Sequence, residues 1–156
     1  MGPLKDIKVI EFSGIGPGPY CGMLLADLGA DVIRVSRKGA EGLENKYDIH
    51  NRSKRSITAD LKNKESVNEL LKLVAQVDVV FEGFRPGVME KLGIGPDDCL
   101  KVNPKLVYGR MTGWGQEGPM SKLAGHDINY ISLSGALNSI GRKDSNPTCL
   151  LYTSDA

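Results

Sequence analysis

Apolar positions change their period along this chain, and the changes mark out its elements. Residues 7–12, IKVIEF, form a short apolar run with β-branched members, which predicts a strand. The Gly/Pro loop SGIGPGP follows, then the apolar-rich YCGMLLADLGA, so the first unit reads as strand, tight loop and helix over 19–29. DVIRV (31–35) predicts a second strand and SITADL (56–61) a third. Val67, Leu70, Leu71 and Val74 then fall at the i, i+3, i+4, i+7 spacing of one helix face, predicting a helix over 66–75. VDVVFEG (77–83) has the continuous apolar character of a buried strand. Pro86 opens the short helix PGVMEKL, since its missing N–H costs nothing in a first turn. PDDCLKV predicts another short helix before the strand KLVYGRM.

Strands alternating with helices imply parallel pairing through right-handed crossovers. The expected fold class is therefore α/β, a Rossmann-like open, mostly parallel sheet with flanking helices. Two irregular regions interrupt the alternation: the polar, basic stretch 37–55 and the glycine-rich MTGWGQEGPMSKLAG over 111–125. In open α/β sheets, ligands bind where strands end in loops, so both stretches are candidates for a site.

At 156 residues the chain is long enough for one core, and one globular unit is expected. Hydrophobic residues at 40% and charged residues at 25% fit a packed domain and neither a disordered tail nor a fibrous repeat. Lys and Arg number 20 against 19 for Asp and Glu, so no global field points to nucleic acid or an anionic membrane. Any preference for an anion has to be local. Cys21, Cys99 and Cys149 are widely spaced with no C-x-x-C pair, which argues against a disulfide scaffold or a thiolate metal site and for a reducing compartment. MGPLKD lacks a signal-peptide core, Asp6 stands where a myristoylation motif needs Ser or Thr, and no apolar run reaches membrane-spanning length. The expectation is a soluble intracellular protein, cytoplasmic or, in a eukaryote, mitochondrial or peroxisomal.

Three stretches bear on chemistry. GIGPGPYCG has glycines at 14, 16 and 18, but the third glycine of G-x-G-x-x-G belongs at 19, where Pro19 stands. Pro17 and Pro19 also remove backbone donors from the loop, which disfavours a NAD-dependent dehydrogenase. In 37–55, six cations (Arg37, Lys38, Lys46, Arg52, Lys54, Arg55) face three anions (Glu41, Glu44, Asp48). Arg37, directly after a strand, is placed for bidentate contact with phosphate, although such a run equally fits a solvated surface. Residues 126, 130, 133 and 137 share one helix face, so His126 is expected at the buried end of a core stripe. Gly125 and Asp127 suit a helix start there, where burial and the helix dipole keep an imidazole neutral. That environment suits a catalytic base and a structural histidine alike.

GPGPYCGMLLADLGADVIRV, FRPGVMEKLGIGP, VYGRMTGWGQEGP and LAGHDINYISLSGAL together resemble the family III CoA-transferases, and within them the α-methylacyl-CoA racemases, from about residue 5 to residue 147. The resemblance implies an acyl-CoA thioester as substrate, no metal and no cofactor beyond the CoA of the substrate, and an interlocked homodimer with shared active sites. It makes His126 the catalytic base. Arg37 and Ala59, Asp60, Leu61, Lys62 then correspond to positions lining the CoA site, as do Ala124, Gly125, Asp127, Ile128 and Asn129. The implied reaction is epimerisation of 2-methyl-branched acyl-CoA through an enolate, with acyl-CoA:carboxylate CoA transfer as the alternative. Transfer in this family runs through an aspartate and needs no histidine base, so GHDINY favours the racemase.

The resemblance ends near residue 147. The racemases' second acid/base lies thirty residues beyond the histidine, which falls here on Ala156, with Asp155 one residue out of register in the unrelated context CLLYTSDA. Residues 1–147 are thus expected to be the N-terminal part of a CoA-binding large domain and 148–156 a divergent tail. A chain of this extent, lacking the second base, is expected to be inactive alone.

Overall fold

The computed structural model describes residues 2–39 and 47–147, so the expectation of a divergent tail lies outside the described residues. Where one globular unit is expected from length, the chain forms two, one through Met111 and one from Thr112.

The first unit carries β1 (Lys8–Phe12), α1 (Pro17–Asp27), β2 (Asp31–Ser36), a 3₁₀ turn (Ile49–Asn51), β3 (Arg55–Thr58), α2 (Lys64–Val74), β4 (Val79–Glu82), α3 (Val88–Leu92), α4 (Pro96–Val102) and β5 (Val107–Arg110). The five strands pair in the order β3-β2-β1-β4-β5, every pair parallel. β1 is the central strand, aligned with β2 from Lys8–Asp31 to Phe12–Val35 and with β4 from Val9–Val79 to Glu11–Phe81.

Continuous apolar runs follow from this arrangement, because both faces of a parallel sheet are covered by helices. Ile10, Phe12, Val35 and Val80 meet Val67, Leu70 and Val74 of α2, with Met89, Ile94 and Cys99 completing that core. Val9, Val32 and Phe81 on the opposite face meet Ala26 of α1 and Ala30. α2 starts where Asn63 caps it: its Oδ1 accepts the N–H groups of Glu65 at 2.8 Å and Ser66 at 3.2 Å. β3 ends earlier than SITADL suggests, at Thr58, and all four of its residues are exposed, as an edge strand allows. Ala59–Leu61 thereby leave the sheet and become a loop.

One polar pair is buried between β1 and α1. Lys54 Nζ donates to Glu11 Oε2 at 2.6 Å and to the Pro19 carbonyl at 2.9 Å, with the two side chains 2% and 0% exposed. Burial pushes the Glu11 carboxyl above its ordinary range, against the hydrogen bond and charge of Lys54. Gly22 of α1 lies over the pair: a Cβ there would come within 1.9 Å of Glu11 Oε2. Lys54 thus fastens the segment that carries the 3₁₀ turn to the central strand.

The second unit carries α5 (Asp127–Leu133) and a 3₁₀ turn (Ala136–Ser139). No helix among the described residues is long and apolar enough to cross a membrane.

Replacing Lys54 by Met strands a buried carboxyl, with an expected loss of about 3–5 kcal/mol, and adding Glu11→Gln restores most of it. Without its cation, Glu11 favours the protonated form in the folded state even more strongly. The folded chain then binds more protons than the unfolded one, and Lys54→Met loses stability as pH rises from the ordinary carboxyl value of 4.5. Urea unfolding at a series of pH values checks both effects; a Lys54→Met midpoint equal to wild type would contradict the assignment.

Candidate functional site

The carboxyl ends of β1, β2 and β3 open onto a cleft of about 590 Å³, built wholly within the first unit. Ser13 to Gly16 form one lip, and Arg34, Ser36 and Arg37 come from β2 and its exit. Asp48 and His50 stand on the 3₁₀ turn, and Ala59 to Lys62 form the wall after β3. Phe12, Val35, Phe84 and Leu92 supply apolar surface. An apolar surface ringed by a few polar and cationic groups is the usual make-up of a small-molecule site.

Arg37 and the stretch Ala59, Asp60, Leu61, Lys62, separated by more than twenty residues, are therefore brought to one cleft, as parallel pairing of β2 with β3 requires. Arg37 and Lys62 are exposed cations at its edge, Leu61 is half-buried and Ala59 buried. Asp60 is occupied with its own turn: its Oδ1 accepts the Lys62 N–H at 2.9 Å, and its backbone N–H donates to Ser66 Oγ at 3.1 Å. It shapes the wall through which Lys62 reaches the cleft. At the other lip, Gly16 adopts φ +67° to turn the chain into α1, and Pro17 and Pro19 leave Gly18 as the one amide donor among those three positions. Here cationic side chains supply the positive charge that a dinucleotide loop takes from backbone N–H groups.

Sequence reasoning missed Arg34, Ser36, Asp48 and His50. The signal for the first was present, a cation inside the apolar DVIRV, since a charge within a doubly covered strand has to reach a polar opening. For Asp48 and His50 it was the short D-x-H spacing. Asp48 Oδ1 accepts the His50 backbone N–H at 3.0 Å and His50 Nδ1–H at 2.8 Å, while Oδ2 accepts Asn51 Nδ2–H at 3.0 Å. The first of these bonds, reinforced by the histidine ring, holds the Asp48 carboxyl below its ordinary range. Tyr20 of α1 meets the His50 ring edge-on, with centroids 6.4 Å apart.

The remaining predicted residues, Ala124 to Asn129, belong to the second unit. His126 is the N-cap of α5, its backbone N–H donating to Asn129 Oδ1 at 2.8 Å, so the predicted helix start is present. The expected burial is not. His126, Asp127 and Asn129 are exposed, Leu133 is 68% exposed and no residue of α5 is buried. An apolar stripe is buried only where another layer covers it, and residues 112–147 supply no such layer. What is fixed instead is the backbone before the histidine. Trp114 Nε1–H donates to the Ala124 carbonyl at 3.3 Å, and the Tyr130 hydroxyl to the Gly125 carbonyl at 2.8 Å. The two rings meet edge-to-face at 4.8 Å. A Cβ at Gly113 would stand 2.0 Å from the Tyr130 hydroxyl, and one at Gly125 2.7 Å, so both positions need glycine.

The chain is 52% identical over 144 residues to the α-methylacyl-CoA racemase of Mus musculus and 49% identical over 146 residues to that of Homo sapiens. Each match covers 92% of this chain and 37% of the relative, so the chain spans little more than a third of their length. A crystal structure of a CaiB/BaiF family protein from Brucella suis superposes with a TM-score of 0.85 at 34% identity, over 95% of this chain and 43% of that one. The family description CoA-transferase family III matches residues 4–153. With the five-stranded parallel sheet, its cleft and these matches together, the chain belongs to CoA-transferase family III.

Proposed function

We propose that this sequence forms the N-terminal part of a 2-methylacyl-CoA racemase. The observation that carries the reading is the cleft itself: Arg37 and Lys62 flank an apolar surface at the strand ends, matching a ligand with phosphates at one end and an apolar body. CoA thioesters are of that kind. The resemblance assigns the second chemical role to His126. The α-proton of a thioester is weakly acidic, and its removal needs a positioned base and donors for the enolate oxygen. His126 supplies the base, on a backbone held by Trp114, Tyr130 and Asn129, and first-turn N–H groups of α5 are the donors this reading uses. CoA transfer in this family has no step requiring a histidine base, and the identity of about one half to two racemases supports the same choice. Epimerisation needs one acid/base on each side of the planar enolate, so a second group from the longer protein completes the reaction.

The chain is expected to bind CoA in preference to NAD, with affinity falling as salt rises. Arg37→Glu weakens CoA binding about tenfold or more, since it replaces an attraction to phosphate by a repulsion. Isothermal titration calorimetry measures both, and preferential NAD binding would overturn the reading of the cleft.

In an enzyme of the relatives' full length carrying this sequence, His126→Ala lowers kcat by about 10²–10⁴-fold while KM changes little, because a base acts in the transition state. Racemisation followed by exchange of the α-proton for deuterium gives both constants, and a variant with full turnover would return His126 to a structural role.

A further inference from the structure

The Asp48–His50 pair faces the cleft and has no part in the reading above. Its geometry fixes which nitrogen does what. Asp48 Oδ1 accepts from Nδ1 at 2.8 Å, so Nδ1 carries a proton in either state of the ring. Nε2 is the nitrogen left for a ligand in the cleft that the ring lines. When the imidazole is neutral, Nε2 presents a lone pair and repels a phosphate oxygen. When it is protonated, Nε2–H donates, and the ring carries a positive charge toward the ligand.

We propose that His50 is a ligand for a phosphate group of the bound CoA thioester that engages only as imidazolium, so that binding takes up a proton at the Asp48–His50 pair. The proposal rests on the cleft being the CoA site. Asp48 supports it by geometry: its two oxygens accept from His50 and Asn51 within its own turn, which fixes the ring and leaves Nε2 as its other nitrogen. The pair is neither buried nor freely solvated, with side chains 43% and 34% exposed, so a phosphate can reach the ring and water does not fully screen it.

The surrounding charges are mostly committed elsewhere. On α1, Tyr20 meets the ring edge-on, and Asp27 is bound by Arg52. Lys54 is tied to Glu11 of β1. Arg34 of β2, whose charge acts on Asp48, and Arg37 add positive potential on the cleft side. The half-buried thiol of Cys21 on α1 completes the set.

The test measures CoA affinity of the chain at pH 6 and pH 8 by calorimetry, in wild type, His50→Gln and Asp48→Asn, with folding checked by circular dichroism. The ester phosphate of CoA also titrates near pH 6, so the contrast between variants is what counts. Wild type is expected to lose about threefold to tenfold more affinity from pH 6 to pH 8 than His50→Gln does. Calorimetry at pH 7.5 in buffers of different ionisation enthalpy shows proton uptake in wild type and none in His50→Gln. Asp48→Asn removes the carboxylate that fixes Nδ1–H and the orientation of the ring, and is expected to reduce the histidine-dependent gain in affinity at pH 6. Dephospho-CoA distinguishes the two phosphate sources. Retention of the histidine-dependent pH effect assigns the contact to the diphosphate, and its loss assigns it to the ester phosphate. Identical pH profiles in all three proteins would overturn the proposal while leaving the cleft a CoA site. Absence of CoA binding at either pH would overturn the reading of the cleft itself.

Discussion

The site depends on a charge pair hidden from water. Glu11 sits in the central strand, where an apolar residue is the cheaper choice, and Lys54 reaches it from a segment forty-three residues away. Neither group tolerates burial alone, so each constrains the position of the other. The consequence is geometric. The pair, with the Pro19 carbonyl as its third member, ties the entry of α1, the middle of β1 and the approach to β3 to one point. The turn bearing Asp48 and His50 precedes Lys54 by only a few residues and is placed by the same tie.

The cleft above this point answers a problem common to open parallel sheets, namely how to hold an anion at the strand ends. A glycine-rich turn does so with backbone amides. Here two prolines remove such donors at the start of α1, and the cations come from Arg34 within β2, Arg37 just after it and Lys62 after β3. Side chains of this length reach further than backbone groups and adapt more, but they lose more freedom when they bind. Asp60, spent on its own turn, reduces that loss by fixing the backbone from which Lys62 extends.

What could be read from sequence was what depends on near neighbours. The switch from continuous apolar runs to the 67, 70, 71, 74 spacing located β1, β2, α2, β4 and β5 within a few residues, and Pro86 and Pro96 marked the two short helices. The collection of Arg37 with Ala59 to Lys62 was legible through the family resemblance, and parallel pairing explains it. Glu11 and Arg34 went unread because they interrupt apolar strands, and their meaning lies in partners distant in sequence. The stripe through His126, Tyr130, Leu133 and Leu137 was read as one buried helix face, but α5 ends at Leu133, Leu137 lies on the following 3₁₀ turn, and no residue of α5 is buried. Periodicity shows which side of a helix is apolar; only a covering layer buries it.

The strand order has a consequence for synthesis. β1 is central, but its partner β4 begins at Val79, seventy-one residues after Lys8. At about 5–20 residues per second, the ribosome leaves one edge of β1 unpaired for several seconds. A continuous apolar strand with an open edge is a template for pairing between nascent chains, and a charge within it is a standard means of discouraging that. Glu11 is such a charge until Lys54 emerges to neutralise it. A charge that is costly to bury in the finished sheet thus disfavours pairing between nascent chains before its own partners are made.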